Sequence, residues 1–503
     1  MRLKYWSYAA FAFSLVFLGK VSGLFKDLLF TYYYGVSDIT DSYFLANSLS
    51  SLLYIAIYSA VPVVMVPLYS RLVGLGQPDL INARLTRSLL FFVLISLALG
   101  GAVAVSASVL VDFFAGKTNA VVKELAGKYL VIMAMTFVLS TVVAFLNALQ
   151  TVQRRRLPSY VVPLMNNLMF CLGLYYFGST GDLTEVLYLG VVAWFMLLLA
   201  NWYMSRQYFS LNLASASTVG VGSPVWLLFL PAVLSFYVEQ INGFVGVYFA
   251  SNLSGGAISV LGYAGKLNLI FQSLFTVFLT TSIFPNIAAL VARKDSGVLS
   301  AYLNRCMRAV VFCALPLIAF MIYYSFEIVE LLFKRGKFDE SDVRQVSAIL
   351  SILLLAVPFG LWRDTMNRLL FSYGKNTIPV ALSLQALGVN AVVSFFSYQA
   401  FGLKGIAWAV VLSASSNVAI AIYIIKRDLG IALIRPNLRS FIIALLGASV
   451  AVTILAFLAG QWGELWFLSF VPFMCVYVAV LCLLRAEECA VVFERVRRIW
   501  LSR

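Results

Sequence analysis

Apolar runs of about 20 residues recur along this chain from one end to the other. Each run is long enough to cross about 30 Å of hydrocarbon as a helix. The chain is 62% hydrophobic and only 11% charged, whereas soluble domains are about half apolar and a quarter charged. No polar stretch is long enough to hold a soluble domain. The sequence therefore predicts an all-α polytopic membrane protein.

The apolar runs and the polar breaks between them predict about fourteen transmembrane helices. The first run follows Arg2 and Lys4 as a signal peptide would, but it lacks a small-residue cleavage site before Lys20 and continues to about Tyr34. We therefore expect a retained first span. The predicted helices lie near 5–33, 40–72, 86–114, 122–152, 157–178, 183–208, 225–252, 257–291, 303–333, 342–373, 378–401, 403–426, 438–460 and 464–485.

Basic residues are distributed unevenly between alternate loops. The net charge is +15, and most of the 36 Lys and Arg residues fall on one side, together with both termini. The positive-inside rule makes this side cytoplasmic, and an even helix count places both termini there. The basic excess then follows from topology and from contact with anionic membrane lipids, so no nucleic-acid partner is expected. Residues 486–503 are expected to form an amphipathic tail on the inner leaflet.

The two halves of the chain have features of a repeat. Three pairs of landmark residues are each separated by about 220 positions. They are Tyr43 and Tyr263, Pro67 and Pro285, and Pro158 and Pro379. The offset indicates a duplicated six-helix unit, whose copies insert in the same orientation because six is even. We predict an N-terminal six-helix lobe (1–209), a cytoplasmic linker (210–224), a C-terminal six-helix lobe (225–427) and two additional helices (428–485).

Three lysines interrupt otherwise apolar stretches: Lys20, Lys26 and Lys266. A cation in the bilayer centre costs at least about 2.5–3.5 kcal/mol on insertion scales, so it normally faces a polar cavity or a partner. A cavity lined by lysines suits an anionic substrate. Substrate sites in repeat-built transporters lie at the repeat interface near the middle of the membrane. We expect the three ammonium groups to converge there.

Glu239 is the carboxylate that falls deepest within an apolar run of the second half. A carboxylate within a membrane helix needs a compensating cation. Glu239 could therefore bind a proton or a sodium ion, or it could form a salt bridge with Lys266. The sequence leaves both interpretations open.

No catalytic constellation is visible in the sequence. It has no GxSxG, Walker A or HExxH motif, no CxxC pair and no histidine. We therefore expect neither a metal site, nor a nucleotide, nor an enzyme activity. Transport would be passive or driven by an ion gradient or by the membrane potential, which is worth about 2.3 kcal/mol per charge per 100 mV. A potential that is negative inside favours outward movement of an anionic head group.

Several segments between about Lys20 and Lys426 carry a resemblance to a known family. They are GKVSGLFKDLLFTYYYGVSDITDSYFLA, FLNALQTVQRRRLPSYVVPLMNN, SVLGYAGKLNLIFQS, FPNIAAL, LLFKRGKFDESDV and LLFSYGKNTIPV. The RGxF turn from Arg335 to Phe338 and two basic turns followed by proline are fairly specific together, and no single one of them suffices. On these segments the chain resembles the MurJ/MviN family, the bacterial lipid II flippases of the multidrug/oligosaccharidyl-lipid/polysaccharide exporter superfamily.

The resemblance implies two six-helix lobes and two final helices that form a groove for a lipid tail. It also implies movement of an undecaprenyl-diphosphate-linked saccharide across the bacterial cytoplasmic membrane by alternating access. The family's cavity arginines fall on Lys20, Lys26 and Lys266, its acidic residue after the first loop on Asp41, and its serine in the eighth helix on Ser259. Lysine keeps the charge of arginine but loses bidentate phosphate recognition.

The chain departs from the family pattern in its second and eleventh helices. The second has Tyr54 and Tyr58 where the family usually has basic residues and a glutamate, and tyrosines there would suit sugar stacking. Members with a sodium site use carboxylates and Asn in the seventh and eleventh helices, whereas the eleventh here offers only Asn390 and Ser394. Coupling to Na⁺ or H⁺ through these two residues or Glu239 is therefore a hypothesis, and no other cofactor is expected.

The leading hypothesis is a monomeric flippase for lipid II or a similar lipid-linked saccharide. Lys20, Lys26 and Lys266 would hold the diphosphate, and Asp41 would orient a lysine or contact the head group. One alternative is a flippase for an exopolysaccharide or O-antigen repeat unit, which would keep the diphosphate site and change the wall that meets the sugar. A cation-coupled drug exporter would need an acid-lined cavity, which three lysines argue against. In a non-transporting scaffold for envelope assembly, the charges would pair internally.

Overall fold

The computed structural model describes residues 2–75, 78–154, 157–212, 225–253, 255–293, 295–458 and 463–484. The predicted tail at 486–503 and most of the predicted linker, 213–224, lie outside the described residues. Within the described ranges the regular structure is helical throughout, without a strand. The prediction of an all-α protein is confirmed.

The first part of the chain contains two long helical segments, each divided into two consecutive helices by a short irregularity. A π-helical turn, Ser51–Ile55, joins α2 to α3, and Met135 separates α5 from α6. The helices are α1 (Arg2–Tyr34), α2 (Asp38–Ser50), α3 (Ala56–Leu75), α4 (Pro78–Phe114), α5 (Ala120–Ala134), α6 (Thr136–Val152), α7 (Leu157–Phe177) and α8 (Thr184–Ser205). Each interrupted pair corresponds to a single predicted span.

The second part contains a similar π-helical turn, Leu279–Ile283, between α10 and α11. Its longest helix, α16, is interrupted at Gly402 (φ 57°, ψ −137°), which separates the two helices predicted on either side. The helices are α9 (Val225–Ala250), α10 (Ala257–Phe278), α11 (Phe284–Ala292), α12 (Ser296–Tyr323), α13 (Ser325–Phe333), α14 (Glu340–Leu354), α15 (Val357–Ser372), α16 (Thr377–Leu429), α17 (Ile434–Leu458) and α18 (Phe470–Leu483). A 3₁₀ turn, Gly463–Ser469, leads into α18.

Among the described residues, 11 helical segments are long and apolar enough to cross a membrane. The α1 helix and the segment from α10 to α11 are not among them, and α16 counts once although Gly402 divides it. A multi-pass membrane protein is therefore confirmed. The count of fourteen spans stays a prediction.

Corresponding helices begin about 220 residues apart in the two halves. Asp38 begins α2 and Ala257 begins α10, while Leu157 begins α7 and Thr377 begins α16. A π-helical turn follows both α2 and α10. This matching order supports a duplicated unit, although the predicted lobe and linker boundaries stay predictions.

Contacts divide the chain into two compact units. The first comprises Met1–Val260 and Leu332–Asp342, and the second comprises Leu261–Leu331 and Val343–Arg503. Large buried side chains of α5 and α6 form part of the first core, among them Tyr129, Phe137 and Phe145. Buried leucines of α14 and α15, such as Leu350, Leu361 and Leu369, contribute to the core of the second unit. Burial of these side chains away from solvent and lipid gives each unit its own packed interior.

The RGxF turn belongs to the first unit, where it contacts the turn between α1 and α2. The Lys337 N–H donates to the Tyr32 carbonyl at 3.0 Å. Gly336 and Gly35 both have left-handed backbone, with φ of 60° and 53°. A Cβ at Gly336 would overlap the Tyr32 carbonyl, and one at Gly35 would overlap the Lys337 carbonyl. Both positions therefore need glycine for conformation and for space.

Candidate substrate-binding site

The α1 helix carries two of the predicted site lysines and packs closely against α7. A Cβ at Gly23 would lie 3.2 Å from Asn167 Nδ2, so no larger residue fits there without a shift. Asn167 Nδ2 donates to the Gly19 carbonyl at 3.1 Å and to Ser22 Oγ at 3.2 Å. A polar side chain in the membrane interior thus finds its partners on the neighbouring helix. These bonds hold α1 against α7 at the level between the two lysines.

Lys26 lies in the interior of the first unit, with 21% of its side chain exposed. Its Nζ is 3.8 Å from Asp27 Oδ1 on the same helix and 5.5 Å from the centroid of the Phe170 ring on α7. Phe170 in turn packs against Tyr43 of α2, with 5.9 Å between ring centroids. The ammonium group therefore combines a carboxylate near the limit of ion-pair distance with the face of an aromatic ring.

The other two predicted lysines have different surroundings. The Lys20 side chain is exposed, and Lys266 on α10 is half-buried. Lys266 belongs to the second unit, whereas Lys20 and Lys26 belong to the first. The convergence of the three ammonium groups on one anion stays a prediction.

Asp41, in the first turn of α2, is 2% exposed and binds the start of α10. Its Oδ2 accepts from the Gly256 N–H at 2.7 Å, and its Oδ1 accepts from the Ser259 N–H at 2.7 Å and from the Ser259 hydroxyl. The first N–H groups of a helix lack helical partners, and the helix dipole favours a negative charge there. The structure thus brings Asp41 and Ser259 together as a helix cap.

Glu239 on α9 is exposed, so the premise that it is a buried carboxylate is not met. The physical reason is that few other helices pack against α9: only 12% of the residues in its most apolar stretch are buried. Asn390 and Ser394 of α16 are 3% and 0% exposed, with Ser394 Oγ 3.4 Å from Asn390 Oδ1. They form a buried polar pair one turn apart in the second unit. A cation at any of these three residues stays a prediction.

Tyr54 lies in the first π-helical turn and is 6% exposed. Its hydroxyl donates to the Phe137 carbonyl at 2.5 Å and lies 2.8 Å from Ser140 Oγ and 2.6 Å from Thr141 Oγ1. Its ring stacks on that of Phe137, with 4.1 Å between centroids and 5° between planes. Both the ring and the hydroxyl are engaged within the protein. The interpretation of Tyr54 as a sugar-stacking residue is therefore wrong.

Sequence reasoning missed Asn167 and Phe170, which position α1 and Lys26. Asn167 offered a signal, since an amide within an apolar helix needs a partner. Phe170 follows it at i+3 and therefore lies on the same helix face. Tyr58, the second tyrosine predicted to suit sugar stacking, is half-buried, and its ring is edge-on to that of Trp194 with 6.2 Å between centroids. Sugar stacking at Tyr58 stays a prediction.

Asp182 ties the loop between α7 and α8 to α5. It accepts hydrogen bonds from Lys128 Nζ at 2.9 Å, Tyr129 Oη at 2.7 Å and Thr184 Oγ1 at 2.8 Å. Burial raises the pKa of Asp182, but these hydrogen bonds outweigh burial and lower its pKa to about 2. The Tyr34 hydroxyl, at the end of α1, donates to the Asp182 carbonyl at 3.0 Å. The loop carboxylate therefore holds the ends of several helices together.

The described residues form a helical bundle with many segments that could span a membrane. The structure is similar to a multidrug resistance MATE family transporter of the MOP superfamily in an inward-facing conformation. The TM-score is 0.68 at 12% sequence identity, over 81% of this chain and 95% of that one. At this identity the likeness establishes the fold.

The chain belongs to the lipid II flippase MurJ family, whose family model matches residues 30–477. Its structure is also similar to that of a lipid II flippase MurJ in an inward closed conformation. Here the TM-score is 0.81 at 20% identity, over 95% of this chain and 99% of that one. The family predicted from the sequence is confirmed.

Curated relatives match the chain to different extents. The probable lipid II flippase MurJ of Synechocystis is 24% identical, over 89% of this chain and 86% of the relative. The probable lipid II flippase MurJ of Helicobacter pylori is 29% identical over 228 residues, which are 45% of this chain. The matched region spans 49% of the Helicobacter protein and 46% of a Bdellovibrio bacteriovorus relative, about half of each.

Proposed function

We propose that this protein is a flippase that moves lipid II, an undecaprenyl-diphosphate-linked saccharide, from the cytoplasmic to the periplasmic leaflet during cell-wall synthesis. Membership of the MurJ family carries the proposal. The movement makes and breaks no covalent bond, so the protein acts as a transporter and not as an enzyme. Alternating access would expose the site first to one side of the membrane and then to the other.

The diphosphate would bind to Lys20, Lys26 and Lys266. Lys26 supports this assignment, because its side chain is only 21% exposed and its ammonium group lies 3.8 Å from the Asp27 carboxylate. A diphosphate, which carries two negative charges over its two phosphate groups, offers a cation in this setting more Coulomb energy than a single carboxylate at that distance. Each lysine acts as a point charge with three N–H donors.

In the conformation that the structure describes, Asp41 and Ser259 would position α10 and would not contact the substrate themselves. They cap the start of α10, the helix that carries Lys266 about two turns later. Asp41 could contact the head group only if it released these N–H groups. The residue therefore contributes to substrate binding through the placement of α10.

The membrane potential, negative inside, would favour outward movement of an anionic head group by about 2.3 kcal/mol per charge per 100 mV. The proposal needs no organic cofactor. Coupling to Na⁺ or H⁺ remains a hypothesis for Glu239 or for the pair Asn390 and Ser394, which supply oxygen ligands.

We place the protein in the bacterial cytoplasmic membrane as a monomer, with both termini in the cytoplasm. Basic residues of the cytoplasmic loops would contact anionic lipids. Arg206, at the end of α8, supports an interfacial position, because its guanidinium lies 4.0 Å from the centroid of the exposed Tyr203 ring. Aromatic and basic side chains together are typical of the membrane–water interface.

Complementation tests the proposed function. The wild-type chain should sustain growth of a bacterial strain depleted of its lipid II flippase, and Lys26→Gln should not, at equal amounts in the membrane. Lys117→Gln, at an exposed loop position, removes the same charge and should behave as wild type. Failure of the wild-type chain despite normal membrane levels would count against lipid II and favour an exopolysaccharide or O-antigen unit. Growth with Lys26→Gln would remove Lys26 from the site.

A further inference from the structure

We propose that Phe170 is a positioning residue that holds the Lys26 ammonium group ready for the substrate diphosphate. The inference rests on the proposed function, because it concerns the same site. Its basis is the 5.5 Å distance from Lys26 Nζ to the centroid of the Phe170 ring. This distance lies within the range of about 6 Å over which an aromatic face attracts a cation.

The Phe170 ring is itself held in place by other aromatic side chains. It lies 5.9 Å from Tyr43 and 6.2 Å from Phe30, measured between ring centroids. Phe30 and Tyr43 are 1% and 8% exposed, and their own rings are 5.0 Å apart. The three rings come from α1, α2 and α7. Because its neighbours are buried, the Phe170 ring offers Lys26 a fixed surface.

The groups around Lys26 explain why an aromatic ring suits this task. The nearby groups that could carry a negative charge are Asp27, Tyr43 and Cys171, on three different helices. Asp27 forms an ion pair with the ammonium group at 3.8 Å, which is longer than the roughly 2.7–2.9 Å of a charge-assisted hydrogen bond, so an incoming diphosphate can displace it. The ring quadrupole attracts the cation without neutralising it. The positive charge therefore remains available to an incoming anion.

The cation–π contact also suits a group that must later donate to phosphate oxygens. An ammonium group has three N–H donors, and a ring face occupies one side of it. The stem of Lys26 is otherwise flexible, and an unheld lysine would lose rotamer entropy on binding. A fixed ring removes part of that cost before the substrate arrives. Phe170 thus raises the affinity for the diphosphate by positioning Lys26, without contacting the substrate itself.

Binding of undecaprenyl diphosphate to the full-length protein in nanodiscs, measured as Kd, tests this role. Phe170→Leu keeps an apolar side chain without a π face and should raise Kd about three- to tenfold. Phe170→Tyr and Phe170→Trp restore a π face and should return Kd to within about twofold of wild type. Phe145→Leu makes the same change at a fully buried ring that contacts Phe92 and Phe209. It should lower thermal stability while leaving Kd unchanged.

A double-mutant cycle separates positioning from general packing. In the Lys26→Gln background, Phe170→Leu should have no further effect on Kd, because the cation that the ring holds is gone. An equal effect of Phe170→Leu in both backgrounds would overturn the inference, and so would a Kd of Phe170→Leu equal to that of wild type. If the wild-type protein failed to bind undecaprenyl diphosphate, the proposed function itself would fall. The two failures are thus distinguishable.

Discussion

Glycines with left-handed backbone occur in both units, but their surroundings differ. In the first unit, an added Cβ would overlap a neighbouring group at four of them. These are Gly35, Gly116, Gly256 and Gly336. In the second unit, the described glycines of this kind have open space where a Cβ would stand. These are Gly374, Gly402 and Gly430. The glycines of the second unit are needed only for their backbone conformation. The four glycines of the first unit also allow neighbouring segments to approach closely.

The difference explains why the RGxF motif is distinctive. Its glycine, Gly336, approaches the backbone of α1. Phe338, at the end of the motif, is 1% exposed, and its ring centroid lies 5.7 Å from that of Phe333. The turn thereby joins the first unit, although the helices on both sides of it belong mainly to the second. Substitution at an overlapping glycine should therefore cost more than substitution at an open one.

Gly336→Ala should give the largest effect. The methyl group would meet the Tyr32 carbonyl in a backbone conformation that alanine already disfavours, which together cost about 2–4 kcal/mol. We expect a clear fall in the melting temperature of the purified protein and loss of complementation. Gly430→Ala, at a helix C-cap with φ 67°, ψ 11° and open space, is the matched control and should cost only about 1 kcal/mol. Equal losses in the two variants would break the comparison between the units.

The two π-helical turns sharpen the comparison. In the first unit, Tyr54 binds α6, and the Tyr237 hydroxyl donates to the Leu53 carbonyl at 2.8 Å. In the second unit, Pro285 follows the turn, and the Arg368 guanidinium lies 5.3 Å from the Phe284 ring. The first turn is therefore held by hydrogen bonds, whereas a proline and a cation–π contact follow the second.

Tyr54→Phe should have the second-largest effect. It removes one hydroxyl and leaves the buried Ser140 and Thr141 hydroxyls with one partner fewer, at a cost of about 1–2 kcal/mol. Thermal unfolding in detergent measures the loss. Tyr58→Phe, at a half-buried neighbour one turn later, is the control and should cost less than about 0.5 kcal/mol. A melting temperature unchanged by Tyr54→Phe would show that these hydrogen bonds do not stabilise the turn.

Asp182→Asn should have the smallest effect of the three. A pKa of about 2, below the usual 3.8, means that the charged carboxylate stabilises the fold above about pH 4 and that this contribution is lost as pH falls toward 2. Lys128 is half-exposed, so solvent screens its interaction with Asp182, and we expect a loss of about 1 kcal/mol at neutral pH. Between pH 4 and pH 2, the free energy of unfolding should also decrease less for the variant than for the wild-type protein.

The counterpart in the second unit is Asp428, which pairs with Lys375 at 3.3 Å and with the exposed Arg427 at 2.7 Å. Asp428→Asn should lower stability less than Asp182→Asn, because surface ion pairs contribute little. A larger loss at Asp428 would contradict the expectation that the half-buried Asp182 network stabilises the fold more than the exposed pairs of Asp428.

Individual residues show how far sequence reasoning reached at the candidate site. The lysines within apolar runs were identifiable because a buried charge is costly wherever it lies. Asp41 and Ser259 were identified through the family resemblance, but their mutual hydrogen bonds were not, since they lie on separate helices. Glu239 was expected to be buried and is exposed, because hydropathy says that a helix is apolar without saying which of its faces is covered.

The sequence by itself determined that this protein is an all-α, multi-pass membrane protein, since these properties follow from composition and run length, and the spacing of landmark residues predicts a repeat of about 220 residues. Only the tertiary structure decided which partner each polar side chain takes. Tyr54 binds α6, Asp41 caps α10, and Lys26 meets the Phe170 ring. The reason is physical: helix formation depends on neighbours along the chain, whereas a buried polar group takes whichever partner packing brings within reach.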